Sequence, residues 1–168
     1  MTQGSGRSRW LSLGLPAAVV VLDQATKAVI RARLPLHTSV DVIDGLLSFT
    51  HIRNTGAAFG LLDDIHFPMK TAVLSLVAMA GLVAVGLYAR SLPRDQALTR
   101  VGLLLILGGA AGNLIDRLGA GYVVDFVDLY WSGWHFWAFN VADSAITIGV
   151  IAMLLDLFRT DGRVSETA

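Results

Sequence analysis

The 168-residue sequence contains no cysteine, which excludes disulfides, thiolate metal sites and a cysteine nucleophile. It is also short of charge. Lys, Arg, Asp and Glu make up 15% of the chain, and 13 residues of each sign cancel to a formal net charge of +0, which leaves no basic field to attract nucleic acid. The histidines, His37, His51, His66 and His135, are scattered without HExxH spacing, so no zinc site is expected. A glycine-rich phosphate loop and a GxSxG elbow are both missing, and no serine has a partner at catalytic spacing. Neither a metal nor an organic cofactor is expected. No repeat or low-complexity segment interrupts the chain.

What is abundant is apolar surface. Hydrophobic residues make up 54% of the chain and the mean hydropathy is +0.62, too high for a soluble domain of this size. Crossing the hydrocarbon core takes about 20 mostly apolar residues, and four runs qualify, at about residues 10–30, 70–89, 101–116 and 141–158. The stretch from Thr71 to Ala89 holds no charge at all, whereas the first run is interrupted by Pro16, Asp23 and Lys27. Arg7 and Arg9 ahead of an apolar stretch also suit a cleavable signal peptide, but no small-x-small cleavage pattern follows promptly, and a retained anchor is expected. Between the first two spans, over about residues 32–67, "SVDVI" and "LLSFTHIRN" flank Asp44-Gly45, a dipeptide suited to the positive φ angles of a hairpin turn. The expected fold is an all-α integral membrane protein, a single domain over residues 1–168, with four transmembrane helices and a small extracytoplasmic β-element.

Orientation follows from the basic residues. Arg7, Arg9, Arg90, Arg94, Arg100, Arg159 and Arg163 fall on one side of the four-span arrangement, and Arg31, Arg33, Arg53, Lys70 and Arg117 on the other. The excess on the first side places both termini in the cytoplasm. Tyr130, Trp131, Trp134, Phe136, Trp137 and Phe139 crowd the stretch before the fourth span, where amphipathic rings suit the outer membrane interface. Membrane lipids are therefore expected partners.

Ionisable groups at membrane depth cost about 2.5 to 3.5 kcal/mol on insertion scales, so those at the edges of these spans need partners or a task. Asp23 and Lys27 are four apart on the first helix with the acid N-terminal, the favourable sense for a same-face pair. Their readings are mutual neutralisation or contact with a substrate. Asn113 and Arg117, also four apart, close the third span beside Asp116; an amide and a guanidinium on one face suit a peptide carbonyl or a carboxylate, although helix-end solvation explains them equally well. "FNVADS", residues 139–144, reads as a helix start in which Asn140 caps and Asp143 sits in the first turn. If Asp143 faces Asp125, two carboxylates share a proton and can act as base and acid on a peptide bond. Their separation of eighteen positions permits that contact without requiring it.

Taken in order, "DQATK" at 23–27, "NTGAAFG" at 54–60, "GNLIDR" at 112–117, "VVDF" at 123–126 and "FNVADS" at 139–144 resemble the lipoprotein signal peptidase (signal peptidase II) family, nearly end to end. The resemblance implies an aspartic endopeptidase of the bacterial inner membrane. Such an enzyme removes the signal peptide of diacylglyceryl-modified prolipoproteins, cutting before the lipidated cysteine near the extracytoplasmic surface. It also implies that Asp125 and Asp143 form the catalytic dyad, and that Asn113, Arg117 and Asn140 orient substrate and dyad. Asp23 and Lys27 match a buried pair near the site. Asn54 matches the start of a loop over the substrate, and its Asn54-Thr55-Gly56 turn chemistry raises the expectation of a lid over residues 54–64. The departures are Gly60, where the family often has serine, and the uncharged "LGAGY" between Arg117 and Asp125.

Two rival readings come from other classes. A small proton-coupled membrane transporter would use the same carboxylates as a relay near mid-membrane. A non-catalytic assembly protein would use the glycine-rich third span to bind a partner helix.

Overall fold

The computed structural model describes residues 4–56, 69–92 and 96–165, with side chains over 13–56, 69–92 and 96–158. Its elements run α1 (Gly4–Arg33), β1 (Ser39–Ile43), β2 (Leu47–Asn54), α2 (Lys70–Ser91), α3 (Ala97–Ala120), β3 (Val123–Trp131), β4 (Trp134–His135) and α4 (Val141–Ser165). Each helix contains a segment long and apolar enough to cross a membrane: Leu13–Arg33, Lys70–Ser91, Ala97–Ala120 and Val141–Phe158. Large side chains such as Leu76 and Leu87 of α2 and Leu157 of α4 point outward, as a lipid solvent allows.

Helix α3 is the centre of the bundle, packed by α1, α2 and α4. Between helices in lipid, close approach of backbones replaces the hydrophobic effect as the cohesive term, and small residues permit it. A β-carbon at Gly109 would collide with the Ala142 carbonyl of α4, and one at Gly112 would lie 2.6 Å from the Asp23 carboxylate of α1. The glycines of "GGAAG" thus bring α1 and α4 against the polar end of α3. Helix α2 is peripheral, with only Lys70 and Ser75 buried.

The helices run longer than the apolar runs. Helix α3 begins four residues before the expected start at 101 and continues past the expected end at 116, because a helix supplies its own hydrogen bonds and can carry Asp116 and Arg117 beyond the oily stretch. It stops at Gly121, whose φ of 81° suits the left-handed cap and whose N–H donates to the Arg117 carbonyl at 3.1 Å.

The expected hairpin forms around Gly45, φ 77°. It is half of a four-stranded antiparallel sheet in the order β1-β2-β3-β4. Strand β3, "VVDFVDLYW", lies outside the two strand segments expected from the sequence. Its pairing with β2 sets Ile52 opposite Asp125 and Asn54 opposite Val123. The far end turns back through Ser132 and Gly133, both with positive φ, into β4. Of the expected lid, residues 57–64 lie outside those described.

Candidate active site

Two features of β3 bring the polar motifs together. Beyond Asp125, the N–H groups of Phe126 and Val127 both donate to the Phe139 carbonyl, at 3.0 and 2.8 Å, while Phe139 N–H donates to Val127 O at 3.0 Å. Two successive donors on one acceptor mark a β-bulge. This pairing pulls the segment before α4 alongside β3, so Asn140 meets Asp125 despite the residues between them.

Asp125 is 3% exposed. Asn140 Nδ2 donates to its Oδ1 at 2.7 Å and Asn54 Nδ2 to its Oδ2 at 2.9 Å. Burial, then the charge of Asp143, push the Asp125 carboxyl up from its ordinary 3.8 to about 7, against the pull of those two donors. Asp143 accepts from Asn113 Nδ2 at 2.8 Å and from the Asn140 backbone N–H at 3.2 Å. The Asn140 side-chain oxygen in turn accepts from Asp143 N–H at 3.0 Å, so residue and helix start cap one another. Asn140, fully buried, is therefore both the cap of α4 and the bridge between the carboxylates.

A cavity of about 700 Å³ opens over this group. Asp125, Asp143, Asn113, Arg117 and Asn54, with Ser144 and Thr147 of α4, supply its polar lining, while Ala78, Ile146 and Ile148 extend it as an apolar wall between the helices. Arg117 does not bond either carboxylate. Its guanidinium donates to the Gly56 carbonyl at 2.9 Å, and Gly56 N–H donates to Asn54 Oδ1 at 2.8 Å. Arg117 and Asn54 thus tie the end of β2 to the site.

Asp23 and Lys27 lie below the cavity and are fully buried. Of their two readings, mutual pairing fits: Lys27 Nζ is 2.9 Å from Asp23 Oδ2, and neither residue lines the cavity. Asp23 Oδ1 also accepts the Ala142 N–H of α4 at 3.0 Å. Asp116 and Gln24 were not singled out for this network by sequence reading. Asp116 lies one residue before Arg117 and so turns from the cavity toward α1, where Lys27 Nζ stands 2.8 Å from its carboxylate. The signal available was the helical spacing itself, since Asn113 and Arg117 share a face that Asp116 flanks. Among the described residues, no three metal-ligating side chains converge.

A family model described as signal peptidase (SPase) II matches residues 15–159. The chain is 47% identical over 144 residues to the lipoprotein signal peptidase of Geobacter sulfurreducens, covering 86% of this chain and 89% of that protein. It is 41% identical over 158 residues to the lipoprotein signal peptidase of Pseudomonas aeruginosa, covering 92% and 90%. A solved bacterial membrane enzyme structure superposes with a TM-score of 0.81 at 33% identity, covering 91% of this chain and 90% of that one. By sequence along most of its length and by its fold, the chain belongs to the signal peptidase II family.

Proposed function

We propose that this membrane protease is an aspartic endopeptidase that removes the signal peptide from diacylglyceryl-modified prolipoproteins, cutting before the lipidated cysteine, with Asp125 and Asp143 as its catalytic residues. The observation that carries the reading is that both carboxylates, from different elements, line one cavity and are bridged by Asn140. One carboxylate accepts a proton from water as its oxygen attacks the scissile carbonyl carbon, while the other, protonated, donates to the carbonyl oxygen. Collapse of the tetrahedral adduct breaks the C–N bond as one of its hydroxyl protons returns to the second carboxylate, and the proton taken from water passes from the first to the departing amine. A carboxyl titrating near 7 suits either half of this exchange.

The cavity supports the substrate class. A signal peptide is an apolar helix, and the wall formed by Ala78, Ile146 and Ile148 leads from membrane-spanning segments directly to the carboxylates. The polar end, with the sheet above it, is assigned to the extracytoplasmic surface and both termini to the cytoplasm, in a single membrane-embedded domain. A proton relay near mid-membrane fits less well, because the carboxylates gather at helix ends and on a strand.

The test is cleavage of a diacylglyceryl-modified prolipoprotein by the purified protein in detergent, alongside folded Asp125→Asn and Asp143→Asn variants. Cutting before the lipidated cysteine by the native chain alone is the expected result. An active Asp143→Asn variant would reduce Asp143 to a helix-start residue and sink the dyad.

A further inference from the structure

A side-chain amide is nearly symmetrical in shape, so which end of Asn113 faces Asp143 must be fixed by its other neighbours. Turned one way, Asn113 donates an N–H to Asp143; turned the other, it sets a carbonyl oxygen against a carboxylate. Two donors face its other end: the Asn140 Nδ2 group, 3.2 Å from Asn113 Oδ1, and, closer and carrying a charge, Lys27. Its ammonium group has three N–H bonds and no lone pair. Three oxygens stand around it: Asp23 Oδ2 at 2.9 Å, Asn113 Oδ1 at 2.9 Å and Asp116 Oδ2 at 2.8 Å. Lys27 can only donate, so the Asn113 end facing it must be oxygen, and the NH2 is left for Asp143 at 2.8 Å.

Asp116 is what holds the ammonium in that place. It is 4% exposed, does not line the cavity and touches neither carboxylate of the proposed dyad. Its other carboxylate oxygen, Oδ1, faces only donors, Gln24 Nε2 and Arg31 Nη1, each at 3.4 Å. Without Asp116, Lys27 keeps a single anionic partner, Asp23, on its own helix, and nothing on α3 except the Asn113 amide draws it across. We infer that Asp116 is a positioning residue of the site. Acting through Lys27, and alongside the Asn140 amide, it holds the direction of the Asn113 amide so that an N–H, rather than a carbonyl, is presented to Asp143. This rests on Asp143 belonging to the catalytic pair.

Two measurements test it. In protein labelled with 15N-asparagine and held in detergent, the side-chain NH2 signals of Asn113, identified by their loss in Asn113→Ala, are expected to shift in Asp116→Leu. Unchanged Asn113 signals in Asp116→Leu would overturn the inference whether or not the enzyme cuts. Where Asp116→Leu does not fold, Asp116→Asn replaces it, with a smaller shift expected, because one of its two ends must set an NH2 against a donor.

The second measurement is a double-mutant cycle on cleavage. Asp116→Leu alone is expected to lower kcat on the order of 10-fold to 100-fold with little change in KM, the scale of a misplaced catalytic group. In Asn113→Ala the same substitution is expected to add almost nothing, since the amide it orients is gone. Additive losses would show that Asp116 acts on the fold at large and would overturn the inference. An active Asp143→Asn enzyme would instead refute the dyad, while leaving the NMR result to decide the orientation.

Discussion

Replacing Asp125 by asparagine is expected to stabilise the protein at pH 8 and to lose that advantage at pH 5. The Asp125 carboxyl is held at about 7 in the folded chain, against an ordinary 3.8, mainly by burial and next by the charge of Asp143. Between those values the folded state binds more protons than the unfolded state, so this residue's contribution to stability falls as pH rises and is fully lost above 7. At about 1.4 kcal/mol per pH unit the whole interval corresponds to about 4 kcal/mol, of which about 3 kcal/mol falls between pH 5 and pH 8. Asparagine has no charge to bury, but it must turn its NH2 toward one of two donors, Asn140 Nδ2 at 2.7 Å or Asn54 Nδ2 at 2.9 Å. That mismatch costs about 1–3 kcal/mol at every pH. The variant should therefore be the more stable protein by about 1–3 kcal/mol at pH 8, and level with or below the native chain at pH 5. The assay is thermal unfolding of both proteins in one detergent across this range. At about 2–4 °C per kcal/mol, the difference in Tm should swing by roughly 6–12 °C. Parallel curves would refute the reasoning, because they would mean that Asp125 titrates alike in the folded and unfolded chains.

Other substitutions separate packing from chemistry. Gly112→Ala sets a β-carbon 2.6 Å from the Asp23 carboxylate and should cost about 1–3 kcal/mol in unfolding measurements, whereas Gly119→Ala, with open space at that position, should not destabilise. Lys27→Met leaves Asp23 and Asp116 buried without their shared cation and should cost about 3–5 kcal/mol, read as a lower Tm and poorer yield of folded protein. Asn140→Asp keeps an oxygen to cap the Asp143 N–H but sets another against Asp125 Oδ1. Cleavage should fall on the order of 100-fold, while the circular dichroism of the helices is retained.

The spans, the hairpin and the ion pair were legible in the sequence because each depends on near neighbours. An uncharged run such as Thr71 to Ala89 must cross lipid as a helix, since no other single segment satisfies its own backbone there. Asp44-Gly45 carries its turn preference in two residues. The four-residue spacing of Asp23 and Lys27 places both on one helix face wherever that helix lies. The same holds for the start of α4, where Asn140 and Asp143 cap one another within three residues.

Tertiary structure decided the rest. That "VVDFVDLYW" is a strand depends on β2, more than 60 residues earlier, and on a bulge that seats Phe139 beside it. Only that pairing brings Asp125 to Asn140, and so to the cavity that Asp143 lines. The direction of the Asn113 amide and the buried place of Asp116 are likewise set by α1, across an approach that Gly112 leaves open. Helical periodicity and turn preference act over a few residues and are written in the local sequence. Burial, charge coupling and the choice between a donor and an acceptor arise only where distant segments meet.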